Sequence, residues 1–260
     1  MIPIERQAAV DLLRRDPYRY LGDLIALDLN MPPIPRTVFG DAEVPSAIAV
    51  VEEWPWGIGA SASSFDVVFL GEFLDWLSER HEEFGLGSTD RRVLDYASDR
   101  PDLEVGPVSC TRSFACASLE RVPEMSPACK LTEDDAPAVE QYPAGHRNNG
   151  PELPTLFQWF VIEGKGEIYA CKDGNEIVGF LSCAREWENI WDVDFIHLRD
   201  EARGRGLGTR LAATYARTLL TRGDIPYYSG ARNEASERTA TSAGFHCCRE
   251  LFVADVSRKE

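Results

Sequence analysis

Six residues near the C-terminal end of the 260-residue chain, Arg203-Gly204-Arg205-Gly206-Leu207-Gly208, hold three glycines and two arginines between an apolar strand-like run and a helical pattern. Glycines let consecutive backbone N–H groups converge on an anion with no Cβ in the way. The helix beginning near Leu207 adds partial positive charge at its N-terminus. With Arg203, Arg205 and Arg210 as local cations, the loop through Thr209 suits a phosphate group. A P-loop would need a Gly-Lys-Ser/Thr ending, and no lysine lies nearby. A dinucleotide fingerprint would need glycine where Thr209 or Leu211 stands. What remains is R-x-x-G-x-G, read either as a pyrophosphate cradle or as a tight turn with solvated arginines.

Carboxylates suited to proton transfer lie just upstream. Asp192 and Asp194 share one strand face with Ile196 and Leu198 by the period of two. Apolar Trp191 and Phe195 beside them would raise a carboxyl pKa toward that of a general base. The competing reading of Asp192 is a strand-start carboxylate facing solvent or pairing with Arg185, with Asp194 or Glu186 as the substitute base. His197, between Ile196 and Leu198, is expected on the opposite face.

A strand, a turn and a helix must position these groups, and the second half of the chain supplies them. Thr132 is a candidate N-cap for a helix over 131–142, with acidic residues in its first turn. Asp173-Gly174-Asn175 joins two β-rich runs as a hairpin, and a third strand covers 191–198. In the helix after the loop, Leu207, Leu211, Tyr215 and Leu219 recur every four residues, and Gly223 closes it. A strand at 225–231, a helix at 233–244 and a strand or hairpin at 245–256 complete a β-β-β-α-β-α-β order, an α/β layer with a mixed sheet. The first half reads as helical over about 3–30 with a break at Asp16-Pro17, strands at 46–54 and 66–71, and a helix at 73–84 stopped by Gly85. Prolines and serines over 98–128 place a boundary near 106–128, dividing the chain into 1–115 and 129–260.

Composition removes several classes. A formal net charge of −16 argues against nucleic acid as a partner. No apolar run approaches a membrane span, and the N-terminus lacks a signal-peptide core. Seven cysteines in no C-x-x-C spacing indicate neither zinc nor a disulfide framework, so a cytoplasmic protein with reduced thiols and no metal is expected.

Asn233, Ser236, Gly244 and Phe245 follow the glycine loop in the pattern N-x-x-[AS]-x(7)-G-F. Two such signatures in this order, behind a hairpin and the opening segment LTEDDAPAV, resemble the GNAT superfamily of acetyl-CoA-dependent N-acetyltransferases over about residues 129–256. The resemblance implies a mixed, splayed central sheet flanked by helices (α+β), preceded by a smaller α/β domain that is a divergent or degenerate copy of the fold. It implies acetyl-CoA as donor. Backbone groups of Ile196, His197 and Leu198 would bond the pantetheine, Arg203, Gly204, Arg205, Gly206, Leu207, Gly208 and Thr209 the pyrophosphate, and Asn233 and Ser236 would lie toward the thiol. The Leu198 N–H would stabilise charge on the carbonyl oxygen.

The family's reaction is attack of a neutral amine on the thioester, with Asp192 or Asp194 as base. Many relatives place a tyrosine acid where this chain has Ala240, so either the thiolate leaves without a protein acid or another residue serves, Tyr228 being the chosen candidate beside Tyr227, Cys247 and Cys248. The expected acceptor is a small-molecule or peptide amine, with homodimerisation an option. A catalytically silent acyl-CoA sensor is the rival reading.

Overall fold

The computed structural model describes residues 1–27, 34–142, 152–231 and 233–259. It divides into two units, Met1–Arg112 with Cys248–Glu260, and Ser113–Cys247. From the N-terminus the first unit contains β1 (Ile2–Pro3), α1 (Arg6–Leu13), α2 (Leu21–Leu27), β2 (Arg36–Gly40), β3 (Ile48–Trp54), β4 (Gly57–Ala62), α3 (Val67–Arg80), β5 (Glu83–Ser88), α4 (Arg92–Asp99) and β6 (Leu103–Val105). Residues 28–30 of the expected helical region lie outside the described residues. Next come β7 (Ser109–Ala115), β8 (Cys129–Lys130), α5 (Ala136–Glu140), α6 (Leu153–Phe157), β9 (Gly166–Asp173), β10 (Glu176–Trp187), β11 (Ile190–Leu198), α7 (Leu207–Thr221), β12 (Ile225–Ala231), α8 (Glu234–Ser242) and β13 (His246–Arg258).

The C-terminal strand corrects the expected division at 129–260. Phe252–Ser257 of β13 pair antiparallel with Glu83–Ser88, and Val256–Arg258 pair with Leu103–Val105. Ala254 and Val256 are buried in the core of the first unit. The chain therefore returns to its N-terminal unit for its last strand.

The run at 66–71 is a helix rather than a strand. Asp66 accepts the Phe69 N–H at 2.8 Å as an N-cap, a contribution of about 1 kcal/mol. Phe69, Leu70, Phe73, Leu74 and Leu77 follow at helical spacing and are buried. A short β-branched apolar run does not distinguish strand from buried helix by periodicity, and the cap is what decides it. The helix ends at His81, so Gly85 lies inside β5. Strands β4 and β5, GIGASA and EFGLGS, carry no clear signal in the sequence because glycine weakens the strand pattern.

In the second unit the sheet runs β7-β12-β11-β10-β9-β8. The expected hairpin at Asp173-Gly174-Asn175 forms, with Asp173 paired to Glu176 so that only Gly174-Asn175 make the turn. Alternate strand residues serve opposite faces. Tyr169, Leu181, Cys183 and Val193 pack with Leu211, Tyr215 and Leu219 of α7. Ile168, Ala170 and Phe180 pack with Val139, Leu153, Leu156 and Phe157 on the other side. The Thr132 N–H donates to Asp135 Oδ2 at 2.8 Å, but the capped turn leads into a helix of only five residues, Ala136–Glu140, shorter than 131–142. The result is a mixed α/β sheet flanked by helices.

The first unit repeats part of this order: β4-α3-β5-α4 parallels β11-α7-β12-α8, each with a parallel strand pair. In the first unit that pair stays closed from Gly59–Gly85 to Ala62–Ser88, and Ser88 Oγ donates to the Ala62 carbonyl at 2.8 Å. The strand-to-helix turn there, Ser63-Ser64-Phe65-Asp66, has no glycine. Among the described residues no helix is long and apolar enough to cross a membrane.

Candidate active site

The parallel pair of the second unit opens where the first unit's stays closed. β11 and β12 pair at Ile190–Ile225, Trp191–Pro226 and Asp192–Tyr227, and then diverge. Asp192 stands at that fork, its Oδ1 accepting the Ser229 N–H at 2.8 Å. Beyond the fork lies a cleft of about 550 Å³. One wall is Phe195, Ile196, His197 and Leu198 of β11. The other is Tyr228 with Asn233 and Ser236, and the glycine loop closes the end.

A β-bulge shapes β11. Ser182 pairs with Phe195 and Cys183 with Val193, leaving Asp194 as the extra residue. This corrects the expected face assignment. Val193, Ile196 and Leu198 pack against the α7 core, whereas Phe195 packs with the α5–α6 side, beside His197. Asp192 and Asp194 therefore do not share a face with Ile196 and Leu198, because the bulge shifts the alternation by one residue. Asp194 is exposed, with its carboxylate 3.4 Å from Ser182 Oγ. The His197 Nδ1 lies 2.6 Å from the Tyr142 hydroxyl. The Arg199 N–H bonds back to the Val178 carbonyl at 3.0 Å, so by alternation the Leu198 N–H points to the open edge of the strand.

The glycine loop has the features of an anion nest. Gly204 and Gly206 adopt φ of 72° and 74°, and a Cβ on either would meet nothing within 4 Å. Gly206 is the N-cap of α7, and no side chain caps that helix, so its first-turn N–H groups have no side-chain acceptor. Gly208 lines the cleft as well, and a Cβ there would make ordinary contact with Thr239 of α8 at 3.4 Å. The arginines divide. Arg203 lines the cleft and pairs with Asp200 at 3.3 Å, while Arg210 donates to the Pro127 carbonyl at 2.8 Å, away from it. Neither Arg205 nor Arg210 is among the lining residues. The loop's second cation comes from α8: Arg238, paired with Glu234 at 2.8 Å, lines the cleft with Thr239 and Ser242. Sequence reading missed these three. The signal was their helical spacing from Ala235 and Ser236, which puts them on one face.

The second signature is largely architectural. Asn233 Oδ1 accepts the Ser236 N–H at 2.9 Å as the N-cap of α8. Gly244 ends that helix at φ 97°, and a Cβ added there would collide with the Arg121 carbonyl, so glycine is obligatory. Phe245 stacks on Tyr215. Ala240 is fully buried in the core shared with α7.

Burial pushes the Asp192 carboxyl up to about 6; the Ser229 hydrogen bond opposes this and the charge of Glu186 adds to it. Partial desolvation raises the Asp194 carboxyl against its Ser182 contact, and desolvation with the charge of Asp194 raises that of Glu186, although both residues stay solvent-accessible. The Tyr228 hydroxyl, 2.9 Å from Ser236 Oγ, is raised by burial, so it keeps its proton at neutral pH. Tyr227 is fully buried, and Tyr227, Cys247 and Cys248 do not line the cleft. Asp192 and Asp194 lie outside the lining as well, Asp192 at the fork of β11 and β12.

A mixed sheet flanked by helices, splayed at the parallel pair β11–β12 over a glycine loop, defines this unit as an acetyltransferase fold. Residues 132–245 match the Acetyltransferase (GNAT) family, and this segment is a member of the GNAT superfamily. No curated protein matches the chain in sequence. Similar solved structures include a GCN5-related N-acetyltransferase from Sphaerobacter thermophilus, 14% identical, TM-score 0.60, covering 96% of this chain and 90% of that one. A GNAT-family acetyltransferase from Colwellia psychrerythraea is 10% identical, with TM-score 0.60 and 87% of each chain covered. A tandem GNAT protein of the clavulanic acid biosynthesis pathway is 11% identical, TM-score 0.53, covering 99% of this chain and 97% of that one. At these identities the likeness is one of fold.

Proposed function

We propose that the second unit transfers the acetyl group of acetyl-CoA to the nitrogen of a primary amine within a ternary complex. The observation that carries this reading is the divergence of β11 and β12 after Asp192, which opens the cleft above the uncapped N-terminus of α7. The residues present fit the donor. Backbone N–H groups from Gly204 to Thr209 and the Arg203 guanidinium suit a pyrophosphate, and the cleft-facing strand edge at Ile196–Leu198 suits amides of an extended arm.

Acetyl-CoA supplies an activated acetyl thioester when bound. The Leu198 N–H, aimed at the open strand edge, is placed to stabilise charge on a carbonyl oxygen. Asp192, with its pKa near neutral, accepts the proton of the acceptor ammonium, directly or through water. Asp194, on the exposed bulge, is the substitute base. Tyr228, held by Ser236, donates its hydroxyl proton to the departing sulfur. The seven cysteines are thiols, which accords with a cytoplasmic site of action.

The test is release of free CoA from acetyl-CoA with a panel of small amines and peptides. Turnover with any amine, lost in Gly206→Glu, supports the reading. Bound CoA without turnover for any acceptor would favour a silent acyl-CoA sensor, the reading that the buried Ala240 favours.

A further inference from the structure

The first unit holds a second cavity, of about 610 Å³, lined by none of the residues assigned to acetyl transfer. Paired residues on neighbouring strands share a sheet face, and the register builds the floor from this rule. Trp54 pairs with Gly57, Gly59 with Gly85, Asp255 with Gly85, and Ser257 with both Glu83 and Glu104. The glycines leave the floor bare: a Cβ on Gly57 would meet nothing within 4 Å, and one on Gly85 nothing closer than 3.7 Å.

The walls differ in chemistry. On one side Trp54 stacks on Trp56, with ring centroids 5.1 Å apart at 22°. Trp56 is 80% exposed, an unusual position for so large an apolar side chain. The remaining walls carry Glu83, Glu104 and Asp255, all exposed and none with an ion-pair partner among the described residues. Among the described residues no three His, Cys, Asp or Glu side chains converge on a metal-sized point. The carboxylates are thus spread around a cavity instead of gathered on an ion. Indole faces attract cations through the ring quadrupole, and spread carboxylates match charge distributed along a chain.

We propose that this groove binds a small organic polycation, an aliphatic chain bearing two ammonium groups. The indole pair covers the methylenes and one ammonium, and the carboxylates hold the ends. The proposal is independent of the donor cleft, and its assay involves no turnover, so the two readings fail separately.

The experiment is calorimetric titration of the full chain with 1,5-diaminopentane, with 1,5-pentanediol as the uncharged control and magnesium chloride at matched ionic strength. One diamine per chain is expected, with a change in tryptophan fluorescence, while the diol and magnesium produce neither. Trp56→Ala and Glu104→Gln are each expected to weaken binding about three- to tenfold. No diamine binding, an equal response to magnesium, or unchanged affinity in a folded variant would overturn the proposal. Glu104 is an exposed strand residue, so Glu104→Gln provides the readout even where Trp56→Ala fails to fold.

Discussion

Asp192 Oδ1 accepts the Ser229 N–H at 2.8 Å, two residues beyond Tyr227, the last β12 residue paired with β11. One side chain thus replaces a backbone rung at the point where the parallel strands part, and burial there lifts its carboxyl pKa to about 6. The point where the strands part and the candidate base are the same residue.

The first prediction concerns this dual role. As a base Asp192 must be deprotonated, so the rate should rise with pH through about 6. Asp192→Asn keeps an oxygen for Ser229 and should retain CoA affinity, but lose about 10²-fold or more in kcat and lose that acidic limb. An unchanged pH–rate profile would remove Asp192 from the mechanism.

Stability should move the other way with pH. Because the folded pKa of Asp192 lies above its ordinary value, the proton-linked stability is present below the unfolded carboxylate range and lost as pH rises through about 6. The melting temperature of the wild type relative to Asp192→Asn should therefore fall between about pH 4 and pH 6. A constant difference across that range would show that the carboxyl is not perturbed.

Gly206 is the position where backbone and ligand demands coincide. At φ 74°, an alanine would cost about 1 kcal/mol of strain, or roughly 2–4 °C in melting temperature for a chain of this size. Gly206→Glu should abolish CoA binding by bringing a carboxylate into the phosphate nest. Retained micromolar affinity by calorimetry would refute the cradle.

Tyr228→Phe removes the hydroxyl 2.9 Å from Ser236 with little change in packing. If the hydroxyl protonates the leaving sulfur, kcat should fall about 10- to 100-fold with CoA affinity unchanged. Ser236→Ala, which leaves the hydroxyl in place, should cost less. Equal kcat in Tyr228→Phe and wild type would assign the tyrosine to the cleft lining alone.

In the first unit, Asp66→Ala should destabilise by about 1 kcal/mol, since it removes the N-cap of α3. Denaturant unfolding would read this as a lower midpoint at constant slope. An effect within error would mean that the helix is held by packing alone.

The glycine loop, the hairpin at Gly174-Asn175 and the periodic helix α7 were legible because each rests on local chemistry: positive φ, a two-residue turn and a four-residue apolar repeat. The helix at Val67–Arg80 and the glycine-rich β4 and β5 were less so, since their local signals are weak and long-range packing decides them. Sequence spacing by itself determined the glycine loop and the helix that follows it, which depend on neighbours within a few residues. Three things came from tertiary structure alone. The bulge at Asp194 reassigns the faces of β11, Arg238 rather than Arg205 or Arg210 joins Arg203 at the cleft, and β13 returns to the first unit. Each depends on strand register or on contacts distant in the chain, and a register shift of one residue turns every later side chain to the other face.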